Sequence, residues 1–377
     1  ESHACLIKDG KLLAAISEER LSRKKSDAGY PKKAINEVLK VAKISPKEID
    51  LVALAGYDNG LFQSIYKPTV EFSVENWIEQ NENYWKPKLI ENVKLSSLDD
   101  YLYWEKKNPK FLNDPYYEFV KLAKKNPTRL HKKIFNEVRV KVISKQLGIN
   151  SEIIKVFRHE TCHQVYGYYS QQQKKKNPII LTLEGGGDDS SATISIVDKN
   201  EKIVEKYRTN EAMVGRVYRY VTLFLGMKPG QHEYKVMGLA PYGQKYHGIK
   251  SLEHFRKFNK INGHKILKTN NFKDVYCSTR EKLHGQRFDG VAWGLQLYTE
   301  EFLEKWTLNC IKKFKNKDII LSGGVAQNIK AVKILAEHKK ISSVWAGPIS
   351  GDGSLGIGAA WAATKRFDKN NKIEGLN

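Results

Sequence analysis

The chain lacks long apolar runs, closely spaced cysteines and a leader-like beginning, and each absence removes one class of protein. No stretch approaches the about 18 consecutive apolar residues that a membrane-spanning helix needs. The start, Glu1–His3, has no basic segment followed by an apolar one, so we expect no signal peptide. The 4 cysteines lie far apart, which argues against a disulfide scaffold or zinc ribbon and favours a reducing, cytoplasmic compartment. They are Cys5, Cys162, Cys277 and Cys310.

Acidic residues are scarce relative to basic ones. The 377 residues include 64 Lys and Arg against 42 Asp and Glu, a net charge of +22 at pH 7. Lysine-rich runs are spread along the chain, as in Lys24–Lys25, Lys174–Lys176 and Lys339–Lys340, so we interpret most of this charge as solvated surface. We expect only local use of it, for a phosphate-bearing ligand. The hydrophobic content of 41% excludes a disordered chain, and this length predicts two lobes or domains.

A strand–turn–strand pattern occurs twice. The runs Ala4–Ile7 and Leu12–Ile16 are joined by an Asp-Gly turn, which is a strong hairpin signal. A second set of apolar runs repeats this pattern at 179–183, 192–197 and 203–207. Repetition of this kind predicts a fold built from two similar halves.

Alternating helices and strands follow each of these hairpins. Apolar residues recur at helical spacing after Pro31 and from Val291 to Phe314, and short apolar runs at 50–55, 318–321 and 343–346 predict strands. The order predicts a duplicated actin-like or sugar-kinase-like (ASKHA) two-lobed α/β fold. We expect a first lobe at 1–170 and a second at 171–377 that carries the glycine-rich nucleotide turns.

A helical insertion, rich in aromatic residues and lysine, is predicted at about 57–145 within the first lobe. Ordinary packing of amphipathic helices explains most of it. A platform for a sugar ring near an acceptor substrate is the alternative use of the Trp and Tyr side chains.

His159 and His163 form an H-x-x-x-H pair. Side chains four residues apart share one face of a helix, so both imidazoles can reach one metal ion. Taken alone, the spacing favours two structural histidines over a metal site, and only further converging residues reverse that preference. The letters from His159 to His163 also fit the H-E-x-x-H pattern of zinc proteases, although that interpretation leaves the glycine-rich loops unexplained.

Two carboxylates and two glycine turns complete the candidate residues. Glu184 ends a predicted strand before the loop Gly185–Gly187, and Asp352 lies at a strand-to-helix turn, as a helix N-cap or as a ligand. Two histidines with two carboxylates suit Fe²⁺, Mn²⁺ or Zn²⁺ rather than Ca²⁺. The turn Gly323–Gly324 lies between a strand and a helix, where main-chain N–H groups bind phosphate, and Asn328 is available for a ribose or base.

Taken together, these residues resemble the carbamoyltransferases of the nodulation-factor and antibiotic-tailoring type, over nearly the whole chain. The segment Glu233–Gly243 (EYKVMGLAPYG) reproduces that family's signature almost letter for letter. The other matching segments are Ser17–Asp27, His159–His163, Gly323–Asn328 and Gly351–Ala360. Five ordered motifs are much more specific than any one of them.

The resemblance implies an enzyme whose fold is shared with the tRNA threonylcarbamoyl-transfer enzymes. It implies transfer of a carbamoyl group from carbamoyl-adenylate, made from carbamoyl phosphate and ATP, to a hydroxyl of a sugar or natural-product acceptor. It also implies a divalent metal, Fe²⁺ or Mn²⁺, held by His159, His163, Asp352 and, where the family usually has Asp, Glu184. The implied catalytic residues are Lys25, Glu184 and Lys235. The implied nucleotide-binding residues are Gly185, Gly186, Gly323, Gly324, Asn328 and Ser350.

The chain departs from the family pattern at both ends. Glu1 stands where the family has Asp, and the preceding His, expected near the transferred carbamoyl group, would lie before residue 1. His3 has the wrong register on the strand to replace it. The family's smaller C-terminal, adenylate-forming domain is absent, so the sequence resembles a fragment or a stand-alone transferase half.

Two other functions stay open at this point. A tRNA-modifying enzyme of the threonylcarbamoyl type is favoured by the charge of +22 and the shared H-x-x-x-H pair. A non-catalytic nucleotide-binding fragment is the other. The sequence leaves the identity of the acceptor and the formation of a homodimer open.

Overall fold

The computed structural model describes residues 1–58, 60, 62–70, 72–126, 131–269, 272–368 and 372–376. Its strands are β1 (His3–Lys8), β2 (Lys11–Ser17), β3 (Val52–Ala55), β4 (Ile154–Phe157), β5 (Ile179–Leu183), β6 (Ala192–Val197), β7 (Ile203–Thr209), β8 (Asn259–Asn262), β9 (Lys265–Lys268), β10 (Asp318–Ser322) and β11 (Ser343–Ala346).

Its α-helices in the first half of the chain are α1 (Glu18–Ser22), α2 (Lys32–Ala42), α3 (Gln63–Val70), α4 (Val74–Gln80), α5 (Lys86–Leu89), α6 (Ser97–Lys107), α7 (Tyr117–Lys125), α8 (His131–Leu147) and α9 (His159–Tyr169). Those in the second half are α10 (Val214–Phe224), α11 (Glu233–Leu239), α12 (Lys245–Arg256), α13 (Val275–Leu283), α14 (Phe288–Phe314), α15 (Ile329–Ala336) and α16 (Leu355–Phe367). None of the helices in the described ranges is both long and apolar enough to cross a membrane.

The chain divides into two compact units. The first comprises Glu1–Phe72, Leu95–Gln172 and Asp352–Asn377, and the second comprises Ser73–Lys94 and Gln173–Gly351. The sequence placed the segment 73–94 in the first lobe and the segment 352–377 in the second, so the compact units differ from the predicted lobes at these two segments. The reason is tertiary packing: α16 lies against α9 and β3, while α4 lies against α10.

The first unit contains two pairs of strands. β1 and β2 form an antiparallel hairpin around Gly10, which has a φ of 81°. β3 and β4 pair in parallel, although the whole helical segment predicted at 57–145 separates them in sequence. Leu54, Ile143 and Ile154 are buried around this second pair.

Several aromatic side chains of the first unit's helices pack internally. Trp104 and Tyr116 are buried. The carboxylate of Asp100 accepts hydrogen bonds from the hydroxyl of Tyr66 (2.7 Å) and from Nε1 of Trp104 (3.1 Å). These rings therefore belong to a helical core and offer no open face to a sugar.

The second unit is built on a five-stranded sheet with the order β11-β10-β5-β6-β7. β5, β6 and β7 form an antiparallel meander, and β10 pairs in parallel with both β5 and β11. The stripe predicted on α14 is buried over its central part, at Leu295, Tyr298, Phe302, Trp306 and Cys310. A hairpin and then a parallel strand pair occur in both units, which confirms the predicted duplicated, actin-like class of α/β fold.

Candidate metal and phosphate sites

Two histidines converge at the start of α9. β4 ends at Phe157, and Arg158 has extended backbone angles, so the helix begins at His159. His163 follows one turn later on the same face, and 3.2 Å separate the two Nε2 atoms. His159 is 7% exposed and His163 is 0% exposed. Two buried imidazoles thus present the same nitrogen to one point.

Asp352 completes this group from the other end of the first unit. It opens the 3₁₀ turn before α16, and its Oδ1 lies 3.6 Å from Nε2 of both His159 and His163. Close packing of α16 on α9 brings Asp352 to the two histidines. Gly358 permits this packing, because any Cβ at that position would collide with the carbonyl of Cys162. Burial acts to raise the pKa of Asp352, but the imidazoles of His163 and His159 outweigh it and hold that pKa well below its usual range.

The donor set fits a divalent transition metal. Metal–nitrogen bonds of about 2.0–2.1 Å leave adjacent ligand nitrogens about 3.0–3.4 Å apart, and the observed Nε2–Nε2 distance of 3.2 Å falls in that interval. Two imidazoles with one ionised carboxylate suit Zn²⁺, Mn²⁺ or Fe²⁺. These three side chains of the first unit are the ones that we interpret as metal ligands.

Glu184 lies in the second unit, where it is fastened to the glycine turn after β10. Its Oε1 accepts a hydrogen bond of 2.5 Å from the main-chain N–H of Gly324. Gly323 has a φ of 97°, and a Cβ there would lie 2.6 Å from the carbonyl oxygen of Leu183. Only glycine suits this position. The role of Glu184 as a metal ligand stays a prediction.

Ser350 and Asn328 support the same turn from two sides. The carbonyl of Ser350 accepts a hydrogen bond of 2.7 Å from the N–H of Gly323. The amide of Asn328 exchanges two hydrogen bonds of 2.9 Å with Gln296 on α14 and also caps α15. Nucleotide contact by Ser350 and Asn328 stays a prediction. The structure shows Ser350 bonded to the turn, and Asn328 bonded to α14 and to the start of α15.

Lys25 and Lys235 are both exposed. Lys25 lies in the turn after α1 of the first unit, and Lys235 lies in the first turn of α11 of the second. Their predicted catalytic roles stay predictions.

Sequence reasoning missed two arginines that lie beside the glycine loop after β5. Arg216 and Arg219 lie on α10, three residues apart, and the helix approaches the loop closely because residue 215 is glycine. The Nε atom of Arg216 donates to the carbonyl of Gly185 (3.4 Å). The signal in the sequence was the spacing of Gly215, Arg216 and Arg219, which only the tertiary structure connects to the loop.

Comparison with known proteins decides the family. The family described as "Carbamoyltransferase N-terminus" matches residues 1–361. The chain belongs to this family. The match spans both compact units and all the candidate residues named above, and it decides against the zinc-protease interpretation.

Three relatives show how much of a longer protein this family domain represents. An uncharacterized protein of Synechocystis sp. is 26% identical over 394 aligned positions, covering 99% of this chain and 57% of that protein. Two uncharacterized proteins of Methanocaldococcus jannaschii are 25% and 26% identical, covering 97% and 93% of this chain and 56% and 59% of their own lengths. The chain thus spans 56–59% of the length of these curated relatives.

Solved structures resemble the chain more distantly. One is the activator of the 2-hydroxyisocaproyl-CoA dehydratase from Clostridium difficile with bound ADPNP, with a TM-score of 0.38 and 13% identity over 64% of this chain and 85% of that one. Another is HypF of T. kodakarensis, also with a TM-score of 0.38 and 13% identity, over 62% of this chain and 38% of that one. Likenesses this low carry neither a ligand nor an activity over to this chain.

Proposed function

We propose that this chain is the transferase part of an O-carbamoyltransferase. The carbamoyl donor is carbamoyl-adenylate, made from carbamoyl phosphate and ATP, and the acceptor is a hydroxyl group of a sugar or other natural product. The observation that carries the proposal is the convergence of His159, His163 and Asp352 on one point, in a chain of the carbamoyltransferase N-terminus family.

The proposed reaction exchanges one carbon–oxygen bond for another. The acceptor oxygen forms a bond to the carbamoyl carbon, and the bond between that carbon and the phosphate oxygen of the adenylate breaks. AMP leaves with the electron pair, and the hydroxyl proton passes to a base or to water. The products are an O-carbamoyl ester and AMP.

His159, His163 and Asp352 would hold a divalent ion, with Glu184 as the proposed fourth ligand. When bound, such an ion polarises a carbonyl group and stabilises the charge of a tetrahedral intermediate. The protein's own contribution is to hold the donor atoms of these side chains close together and in the state that binds a metal ion. The lowered pKa of Asp352 keeps its carboxylate ionised, and the burial of both imidazoles limits competition from water.

The glycine turns of the second unit would bind the adenylate. The main-chain N–H groups of Gly185 and Gly186, which have no acceptor among the described residues, suit phosphate oxygens. The N–H groups of Gly323 and Gly324 donate to Ser350 and Glu184, so this second turn would contact the adenylate through its side-chain-free main-chain surface. Ser350 bonds to the second turn at Gly323, and Asn328, which follows that turn, is bonded to Gln296 on α14. The N–H groups of Gly185 and Gly186 would stabilise the negative charge that AMP carries away.

Two measurements on the chain test the proposal. Metal content of protein prepared with Fe²⁺ or Mn²⁺ should show one ion per chain, lost in His163→Ala. The control His338→Ala removes an imidazole that pairs with Glu304 in the second unit and should leave the metal in place.

Transfer is then followed by mass spectrometry with carbamoyl-adenylate and a panel of sugars. We expect a product heavier by one carbamoyl group, formed by the wild-type chain and by His338→Ala but not by His163→Ala. If AMP is released but no sugar product forms, the proposed nucleotide site stands and the proposed sugar acceptor does not. RNA is then the next acceptor to test. Carbamoyl transfer by a metal-free His163→Ala variant would overturn the metal-assisted scheme.

A further inference from the structure

We propose that Arg216 and Arg219 form, with the loop at Gly185 and Gly186, a binding site for a phosphoryl group. The site lies wholly in the second unit. It rests on the proposed function only for the identity of the phosphoryl group, which we assign to the adenylate.

Helix α10 begins directly against the loop that follows β5. A Cβ at Gly215 would lie 2.7 Å from the carbonyl carbon of Glu184 and 2.7 Å from the nitrogen of Gly185, so only glycine allows this approach. Residues three apart share a helix face, so the side chains of Arg216 and Arg219 extend from neighbouring positions beside the loop.

Both guanidinium groups lie along the loop backbone. If Gly185 carried a Cβ, that atom would lie 3.4 Å from both Cζ and one Nη atom of Arg219. A Cβ at Gly186 would lie 3.7 Å from one Nη atom of Arg216. The Nε of Arg216 donates to the carbonyl of Gly185, at 3.4 Å. The two glycines thus leave room for two cations close to the main chain.

These two cations differ from the other arginines of the second unit. Arg208 pairs with Asp189 and with Glu205 (2.6 Å), and Arg256 pairs with Glu301 (2.6 Å). Among the residues that the structure describes, neither Arg216 nor Arg219 has a carboxylate partner, and both are exposed. Each guanidinium has five N–H donors, so most of them are available to a ligand.

The loop itself adds main-chain donors. The N–H of Glu184 donates to Ser191 (2.8 Å) and that of Gly187 donates to Ser190 (2.9 Å). Between them, the N–H groups of Gly185 and Gly186 have no acceptor within the described part of the chain. Successive main-chain donors beside paired guanidinium groups suit an anion with several equivalent oxygens, which is the chemistry of phosphate.

The test compares anion binding by the wild-type chain and by Arg216→Gln/Arg219→Gln. Calorimetric titrations use three probes: AMP, adenosine and inorganic phosphate. We expect the double variant to bind AMP and phosphate about ten- to hundred-fold more weakly, because charge-assisted hydrogen bonds are lost, and to bind adenosine unchanged.

The control Arg256→Gln/Lys333→Gln removes the same charge from exposed, paired residues of the second unit. Equal weakening in the control would assign the effect to net charge and overturn the site. A purely structural role for Arg216 would lower the melting temperature without separating AMP from adenosine, so unfolding is measured on every variant.

The remaining outcomes separate this site from the proposed function. Equal AMP binding by wild type and double variant overturns the arginine site and leaves carbamoyl transfer standing. Failure of the wild-type chain to bind either AMP or phosphate overturns the site outright. Arginine-dependent phosphate binding by a chain that transfers no carbamoyl group would keep the site and overturn the proposed function.

Discussion

His3 and Gly356 are joined by a hydrogen bond of 2.6 Å, from the main-chain N–H of Gly356 to Nε2 of His3. Gly356 lies in the first turn of α16, just after Asp352, and a Cβ there would lie 2.7 Å from Nε2 of His3. Burial lowers the pKa of His3 to about 4, so its imidazole is neutral at pH 7 and able to accept. This hydrogen bond joins β1 to α16, the helix that follows the candidate metal ligand Asp352.

Gly356→Ala should destabilise the chain because the new methyl group and the imidazole of His3 cannot occupy the same space. We expect a loss of about 1–3 kcal/mol in the free energy of unfolding, measured by denaturant titration. His3→Ala/Gly356→Ala removes the collision, so its loss should be smaller than the sum of the two single losses. Gly238→Ala is the control, since among the described residues no atom outside its own stretch of helix lies within 4 Å of its ideal Cβ position. If the loss in the double variant equals the sum of the losses in the two single variants, the methyl group at position 356 does not collide with the imidazole of His3.

Metal binding should stabilise the chain through the three converging donors. A ligand that binds only the folded state at one hundred times its Kd adds about 2.7 kcal/mol. We therefore expect excess Mn²⁺ to raise the melting temperature of the wild-type chain, and a chelator to reverse the change. Asp352→Asn and His159→Ala should show neither response, whereas Glu337→Gln, at an exposed pair with Lys333, should behave like wild type. A full response in Asp352→Asn would remove that carboxylate from the ligand set.

Periodic and local signals predicted most of the fold. The hairpin at Gly10, the meander after β5 and the buried stripe of α14 depend on short-range patterns, and the structure confirms them. The assignment of segments to units depends on packing between distant parts of the chain. No local pattern places residues 73–94 in the second unit, where Arg280 pairs with Glu82 at 2.7 Å.

The candidate sites show the same limit. The i,i+4 spacing predicted His159 and His163 as metal ligands, and the family motifs predicted Asp352. The sequence could not show that the amide of Asn328 is engaged by Gln296, because 32 residues separate them. Arg216 and Arg219 were missed for a related reason, since their approach to the glycine loop depends on how tightly α10 packs there.

The turn at Gly323 should tolerate substitution worse than the adjacent position. Gly323→Ala adds a Cβ at a φ of 97° and within 2.8 Å of Oε1 of Glu184, so we expect a loss of about 1–3 kcal/mol in the free energy of unfolding. At Gly324 the nearest atom is the tip of the same flexible carboxylate, 3.1 Å away, so Gly324→Ala should cost less. Denaturant titration of the two variants checks the order. Equal losses would mean that Gly323 does not need its left-handed backbone.

Acid should destabilise the chain partly through His254, which lies buried on α12 between Phe258 and Phe272. Burial, together with Lys257 and Lys282 and against Glu281, lowers the pKa of His254 to about 4 from its ordinary 6.5. Between these two values the unfolded chain binds a proton that the folded chain does not, so stability falls as the pH falls from about 6.5 towards 4.

Replacement of His254 by leucine should therefore flatten the decline of the melting temperature between pH 6.5 and 4. Part of the slope should remain, because the pKa of His3 is also lowered to about 4 by burial and acts with the same sign. Measurement at pH 8 serves as the reference, because both imidazoles are neutral there in the folded and the unfolded chain. A slope identical to that of wild type would show that His254 gains its proton without unfolding, and that its aromatic surroundings admit water.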